Sequence, residues 1–87
     1  MLQLAELLGW LTYHTYDSRR SQAGFPDLVM VKDGRIIFAE LKSQKGRIRE
    51  SQQEWLTALS YNPLVETYVW RPDDWDAVAQ VLSGEPA

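Results

Sequence analysis

The feature that most constrains the fold is a pair of apolar segments on either side of Asp33-Gly34, in the stretch FPDLVMVKDGRIIFAELKS. Both segments, at about residues 26–32 and 35–42, are rich in the β-branched and aromatic residues that favour strands. An Asp-Gly dipeptide between such segments favours a type I′ turn, because both central residues of that turn need positive φ. We therefore expect an antiparallel hairpin with Asp33 and Gly34 as its turn.

The hairpin has a register, and the register brings charged residues together. With that turn, Val29 faces Phe38 and Asp27 lies opposite Glu40. Side chains alternate between the faces of a strand, so Asp27, Glu40 and Lys42 share one face. Directly opposed residues have Cβ atoms about 4.5–5.5 Å apart, and two carboxylates that close repel unless a cation lies between them. Mg²⁺, with oxygen ligands at about 2.0–2.1 Å, fits such a gap. We expect a metal site here, with the Lys42 ammonium beside it.

The same charges admit an ordinary structural interpretation. Asp27 follows Pro26 and suits a turn or an edge position, and Glu40 with Lys42 could form a weak surface ion pair. A site is favoured by the matching register, by the basic loop SQKGR that follows, and by Gln52. Gln52 falls on the apolar stripe of the next predicted helix, where an amide needs a partner. A buried amide or a helix-start hydrogen bond would also account for it.

The remaining patterns predict one α/β domain over residues 1–87, in the order α-β-β-β-α-β-α. Leucines at helical spacing up to Gly9 predict the first helix, and Trp10–Thr15 has the composition of a strand. Asp73, Asp74 and Asp76 suit the start of the last helix, where acids satisfy free N–H groups and the macrodipole. The other predicted elements are a polar loop at 16–25, a helix at Ile48–Leu59, a strand at Val65–Trp70, and a last helix with Trp75, Val78, Ala79 and Leu82 facing inward.

Composition excludes several classes of protein. Hydrophobic residues make up 45% of the chain and charged residues 24%, which argues against disorder. The absence of cysteine excludes disulfides and thiolate metal sites. The opening LQLAELLGWL is too short to span a bilayer and lacks the basic segment of a signal peptide. We expect a cytoplasmic protein without a membrane partner.

The charge of the chain is unevenly distributed. Net charge is −3, yet residues 18–49 contain eight basic and three acidic residues, a local balance of +5. A basic half is often only a solvated face, but it is also what one phosphate-binding face on an acidic domain would produce. The sequence therefore allows a nucleic-acid partner despite its acidic total.

Taken together, these motifs resemble the VRR-NUC (virus-type replication-repair nuclease) family of the PD-(D/E)xK nuclease superfamily. The resemblance is carried by the run GFPDLVM…FAELKSQKGRIRESQQEWL. The resemblance extends over about His14 to Trp75, including the late stretch ETYVWRPDDW. It implies a restriction-endonuclease-like core, with a mixed sheet flanked by helices, and a metal-dependent DNA endonuclease. Transferred residue by residue, it makes Asp27 and Glu40 the metal-binding acids, the Leu41 carbonyl a further ligand, Lys42 the catalytic lysine, and Gln52 the helix glutamine of a Q-x-x-W pattern.

One family feature does not match. Members usually have a glutamate early in a longer first helix, whereas Glu6 is the one acid of this segment and its spacing to Gly9-Trp10 differs. The chain could be truncated, could begin inside a longer reading frame, or could lack one ligand. The alternative expectation is therefore a non-cleaving nucleic-acid-binding module that keeps the nuclease fold.

The resemblance also implies partners and a phage or bacterial intracellular origin. The cofactor would be Mg²⁺ or Mn²⁺, and the substrate branched DNA such as a four-way junction, cut by a homodimer. His14 could contact DNA or the metal region, or could be structural. The residues expected to contact phosphates, which position a duplex without specifying its sequence, are Arg19, Arg20, Lys45, Arg47 and Arg49.

Overall fold

The computed structural model describes residues 2–15 and 22–84. Their element order confirms the predicted α-β-β-β-α-β-α succession, with one short 3-10 turn at Pro72–Asp74 before the last helix. The helices are α1 (Leu2–Leu7), α2 (Glu50–Ser60) and α3 (Trp75–Leu82). The strands are β1 (Leu11–His14), β2 (Leu28–Lys32), β3 (Arg35–Leu41) and β4 (Val65–Trp70).

The four strands form one mixed sheet in the order β1-β2-β3-β4. The first two pairings are antiparallel, and β3 pairs with β4 in parallel, as a connection through α2 permits. The predicted hairpin register is confirmed, since Val29 pairs with Phe38 and Leu28 with Ala39. Asp33 and Gly34 have φ of 50° and 81°, as a type I′ turn requires.

The two faces of the sheet differ. Along β2 and β3 the buried apolar side chains point to the face covered by α1 and α3, where they form the core with Trp10 and Trp70. The Trp10 indole Nε1 donates to the Leu82 carbonyl at 2.9 Å and so joins the start of the chain to α3. The alternate side chains of β3, including Phe38 and Glu40, point to the opposite face, towards α2. This alternation places Glu40 on the α2 side.

An ion pair between Arg35 and Glu66 lies at the end of the sheet far from Glu40. Arg35 donates to both carboxylate oxygens of Glu66, at 2.8 and 2.7 Å, and to the Val81 carbonyl at 3.1 Å. Hydrogen bonding to Arg35 holds the pKa of the Glu66 carboxyl below its ordinary value. The guanidinium also lies 5.1 Å from the ring centroid of Trp10. This arrangement is structural and lies at the start of β3, whereas Glu40 lies near its end.

One expectation about buried residues is corrected. The sequence predicts that Trp75 faces inward, but it is 50% exposed, because the buried stripe of α3 is Val78, Val81 and Leu82. The stripe is therefore centred on Val78 rather than between Val78 and Ala79, which turns Trp75 towards solvent. Leu7, at the end of α1, is also exposed. No helix in the described ranges is long and apolar enough to cross a bilayer.

Candidate metal centre and nucleic-acid interface

Asp27 and Glu40 come together where the hairpin strands end. Asp27 immediately precedes β2, and its Oδ2 accepts the Leu41 backbone N–H at 2.9 Å. Glu40 is the second-last residue of β3 and is only 2% exposed. The carboxylate of Asp27 is therefore oriented by the backbone of the residue that follows Glu40.

The electrostatics of Glu40 reflect this proximity. The pKa of its carboxyl is raised to about 7, first by burial and second by the negative charge of Asp27. Lys42 opposes both effects, with its Nζ 3.9 Å from Glu40 Oε1. A buried carboxylate whose ionisation is opposed by a neighbouring negative charge is stabilised by a bound cation.

One oxygen of Glu40 has a partner and the other does not. Oε1 accepts from the Gln52 side-chain Nε2 at 2.5 Å. Oε2 is buried and has no hydrogen-bond partner within the described residues. A buried carboxylate oxygen without a partner costs free energy. A cation bound between Asp27 and Glu40 would remove that cost.

The donors present fit a hard divalent cation. Asp27 and Glu40 supply carboxylate oxygens, which Mg²⁺ and Mn²⁺ prefer. Leu41 ends an extended strand, in which the N–H and C=O of one residue point to the same side. Since its N–H points to Asp27, its carbonyl is directed to the same side and could be a third donor. The described residues contain no cluster of three acidic, histidine or cysteine side chains, so a metal here would rest on two side chains and backbone.

Gln52 connects this site to α2. Its side-chain Oε1 accepts the Arg49 backbone N–H at 2.8 Å, at the start of the helix, while its Nε2 donates to Glu40. The helix-start hydrogen bond considered from sequence is therefore present, and the amide contacts Glu40 as well. Gln52 is buried, so both ends of its amide are used where water has little access.

The loop before Asp27 packs closely on α2. Gly24 has φ of +85°, and a Cβ there would lie 2.4 Å from the Ser51 carbonyl oxygen. The next residue, Phe25, packs edge-on against Trp55 and Phe38, with centroids 5.1 and 6.1 Å away. This packing holds the loop against α2 and β3 just before Pro26-Asp27. The position of Asp27 is therefore set by the loop that precedes it and by its hydrogen bond with Leu41.

These elements border an open groove of about 600 Å³. Asp27, Glu40 and Gln52 lie on its wall, and His14 and Thr15 border it from the end of β1. The structure thus places His14 at the groove that contains the acids. Other residues bordering the groove are Gln22, Ala23, Gly24, Phe25, Arg49 and Ser51.

The predicted phosphate contacts fall into two groups. Lys45, Arg47 and Arg49 are exposed on the segment between Lys42 and α2, and Arg49 borders the groove. Arg19 and Arg20 lie outside the described residues. Of the three cations on this segment, Arg49 borders the groove that contains the acids.

The structure also places Glu6 and Arg71. Glu6 is exposed and borders a surface depression with Gln3 and Leu7, whereas the acids border the groove beside α2. Arg71 had no assigned role, yet its Nη1 donates to the Ser43 and Gly46 carbonyls at 2.8 and 2.6 Å. Arg71 is the one Lys or Arg outside positions 18–49, but nothing in the sequence indicates that it contacts these two carbonyls.

Comparison with known proteins now gives the family. The model of the VRR-NUC domain matches residues 2–69, which is most of the chain and includes Asp27, Glu40, Lys42 and Gln52. A comparison with curated proteins gives no match, and a comparison with solved structures gives none. The VRR-NUC domain implies a restriction-endonuclease-like fold, with which the mixed sheet and flanking helices agree. The chain therefore belongs to the VRR-NUC family of nucleases.

Proposed function

We propose that this protein is a divalent-metal-dependent DNA endonuclease that hydrolyses phosphodiester bonds. The observation that carries the proposal is the buried Glu40 Oε2, which has no hydrogen-bond partner in the described chain and lies in a carboxylate opposed by Asp27. This pair borders an open groove with exposed cations beside it. The chain belongs to a nuclease family, and its acidic pair is suited to a metal. Both observations support metal-dependent hydrolysis of phosphodiester bonds.

Asp27, Glu40 and the Leu41 carbonyl would hold the cation. When bound, Mg²⁺ or Mn²⁺ supplies Lewis-acid polarisation of the phosphate and a more acidic water. Gln52 orients Glu40 through its amide, and Leu41 orients Asp27 through its N–H. Lys42, 3.9 Å from Glu40, would orient or help to deprotonate the attacking water and would stabilise negative charge that develops on the phosphate.

The substrate we propose is branched DNA such as a four-way junction, cut by a homodimer inside the cell. Lys45, Arg47 and Arg49 would contact backbone phosphates, which explains a basic face on an acidic chain. A two-fold dimer presents two sites with matching symmetry, which suits paired cuts in a junction. Arg49 borders the groove of its own protomer, so each protomer could engage one strand.

The test is cleavage of a labelled four-way junction and of a linear duplex with the same arm sequences. We expect cuts in Mg²⁺ or Mn²⁺, no cuts in EDTA, and a faster reaction on the junction. Equal rates on both substrates would overturn the junction preference and leave the nuclease assignment. No cleavage of either substrate in either metal would overturn the endonuclease.

The second candidate is a non-cleaving nucleic-acid-binding module that retains the nuclease fold. It is favoured by the small donor set, since the described residues place only two acidic side chains at the site. A chain of this kind would bind junction DNA with a salt-dependent affinity and would leave it intact in every metal. Binding and cleavage measured on the same sample therefore separate the two candidates.

A further inference from the structure

The turn between the candidate lysine and α2 is held from the opposite side of the chain. Gly46 N–H donates to the Ser43 carbonyl at 3.2 Å, which closes the turn Ser43–Gly46. One nitrogen of Arg71, Nη1, donates to both the Ser43 and the Gly46 carbonyls, at 2.8 and 2.6 Å. A single guanidinium thus joins the two ends of the turn.

Neighbouring contacts support the same arrangement. The Lys42 N–H donates to the Trp70 carbonyl at 3.0 Å, and the Asp73 N–H donates to the Gln44 side chain at 3.2 Å. The backbone of Arg71 is itself oriented, because its N–H donates to Asp74 Oδ2 at 2.8 Å. The end of β4 and the 3-10 turn therefore hold the segment from Lys42 to Gly46, and Arg71 is the side chain that crosses to it.

The turn determines where three cationic side chains lie. Lys42 directly precedes it, Lys45 is inside it, and Arg47 directly follows it. Gly46 and Ser43 lie close together across the turn, since a Cβ on Gly46 would lie 2.8 Å from Ser43 Oγ. Arg71 Nη1 has two protons and donates to two carbonyls. The side chain therefore links the two ends of the turn.

We propose that Arg71 is a positioning residue, which holds the turn Ser43–Gly46 so that Lys42 and Lys45 face the substrate. The proposal rests on the proposed function, because it assigns Arg71 to the cleavage reaction through Lys42. It makes Arg71 different in kind from Arg47 and Arg49, which would contact phosphate themselves. Lysine also has protons for two carbonyls, but its side chain is shorter than that of arginine and its ammonium is not held in a plane. We therefore expect charge alone not to replace Arg71.

The experiment compares Arg71→Lys and Arg71→Gln with wild type, and uses Arg35→Lys as a matched control at the Glu66 ion pair. Three quantities are measured: the single-turnover cleavage rate at saturating junction DNA and Mg²⁺, the salt dependence of DNA affinity, and amide hydrogen exchange of Gly46 in the protein alone. Urea titration defines conditions in which every variant is folded. We expect both Arg71 variants to cleave roughly tenfold more slowly or worse, as misplacement of catalytic groups does.

The other two measurements separate positioning from phosphate contact. We expect Gly46 to exchange faster in both Arg71 variants while the β3 amides keep their protection. We also expect Arg71→Lys and Arg71→Gln to have the same salt slope, because release of the turn affects Lys45 equally in both. Arg35→Lys should leave the cleavage rate and the Gly46 exchange at wild-type values. A wild-type rate in Arg71→Lys, or a salt slope reduced by about one in Arg71→Gln and not in Arg71→Lys, would show a charge contact and overturn the proposal.

Failure of the proposed function can be distinguished from failure of this inference. If wild type does not cut DNA in any metal, the endonuclease is overturned and the cleavage part of this inference with it. Hydrogen exchange needs no cleavage, and it still decides whether Arg71 holds the turn. Unchanged Gly46 exchange in both Arg71 variants overturns the inference whatever the cleavage rates are.

Discussion

Gln52 Nε2 donates to Glu40 Oε1 at 2.5 Å, while Oε1 of the same amide accepts the Arg49 N–H at 2.8 Å. A backbone N–H can only donate, so the oxygen of Gln52 must face Arg49 and the NH₂ must face Glu40. One buried amide thus connects the first turn of α2 to a carboxylate on β3. The orientation of Glu40 is coupled to the start of this helix.

Gln52→Leu should destabilise the protein by about 2 kcal/mol, because it leaves a helix-start N–H and a buried carboxylate oxygen without their partner. Gln53→Leu is the matched control, since Gln53 is exposed and its amide meets Thr57 on the surface. We expect the control to change stability by less than about 0.5 kcal/mol. Urea unfolding measures both, and an equal loss of stability in the two variants would contradict the assigned role of Gln52.

Asp27→Ala and Glu40→Ala should each abolish stoichiometric binding of Mg²⁺ or Mn²⁺, because each removes one of the two acidic donors. Lys42→Ala should leave metal binding intact and slow cleavage by roughly 10²–10⁴. Calorimetric titration and a nicking assay on the same samples measure the two effects. Asp73→Ala, at an exposed acid outside the groove, is the control. A wild-type cleavage rate in Lys42→Ala would show that the mechanism is wrong.

Through Glu40 alone, the metal-free protein should lose stability as pH rises from about 4.5 to 7. The pKa of Glu40 is raised to about 7 in the fold, so in this range the folded state holds a proton that the unfolded state has released. Stability is then highest below pH 4.5 and falls until both states are ionised. The rise in pKa corresponds to at most about 3 kcal/mol.

Glu40→Gln isolates this effect, because it removes the ionisation and keeps the shape. Urea unfolding in EDTA at several pH values, wild type minus variant, cancels other groups such as Glu66, whose pKa shifts in the opposite direction. We expect the difference to favour Glu40→Gln increasingly up to pH 7. A difference that does not change with pH would mean that Glu40 is not destabilised by charge.

Neutralising Arg47 and Arg49 together to glutamine should weaken DNA binding about equally for all sequences. The slope of log affinity against log salt should fall by roughly one unit for each phosphate that the variant no longer neutralises. The charge-conserving pair Arg47→Lys and Arg49→Lys should keep the slope. Fluorescence anisotropy across a salt series measures it, and an unchanged slope in the glutamine pair would show that these arginines only solvate the surface.

The protein should be a dimer at micromolar concentration. In the described sheet, β1 is an edge strand without charged residues, and its Leu11 and Tyr13 are 75% and 61% exposed. An uncharged edge can pair with the same edge of a second copy around a two-fold axis. Leu11→Lys with Tyr13→Lys should give monomers, and Tyr61→Lys, at the exposed end of α2, should not.

Sedimentation equilibrium decides the assembly state. A wild-type mass of 10.1 kDa across the micromolar range would rule out the dimer. If wild type is a dimer and the β1 double variant is as well, the dimer forms through another surface. Paired nicks on a four-way junction that disappear in a monomeric variant would connect assembly to cleavage.

Local chemistry in the sequence was enough to predict the hairpin and its register. Asp33 and Gly34 both have positive φ, and a two-residue turn leaves one pairing for the strands beside it. Because side chains alternate with a period of two, that register alone places Asp27 and Glu40 on one face. The cations around Lys42 are adjacent to these acids in the chain and needed no tertiary information.

Burial and orientation were decided only by the tertiary structure. Glu40 could have been an exposed hairpin-end charge, and it is buried because α2 and the loop at Gly24 pack over it. The exposure of Trp75 depends on how α3 is rotated on the sheet, which a stripe of apolar residues defines only to within one position. Arg71 reaches carbonyls 28 and 25 positions earlier in the chain, because parallel pairing sets the end of β4 beside the end of β3. No local pattern contains such a contact, since its partners are backbone atoms that any residue would supply.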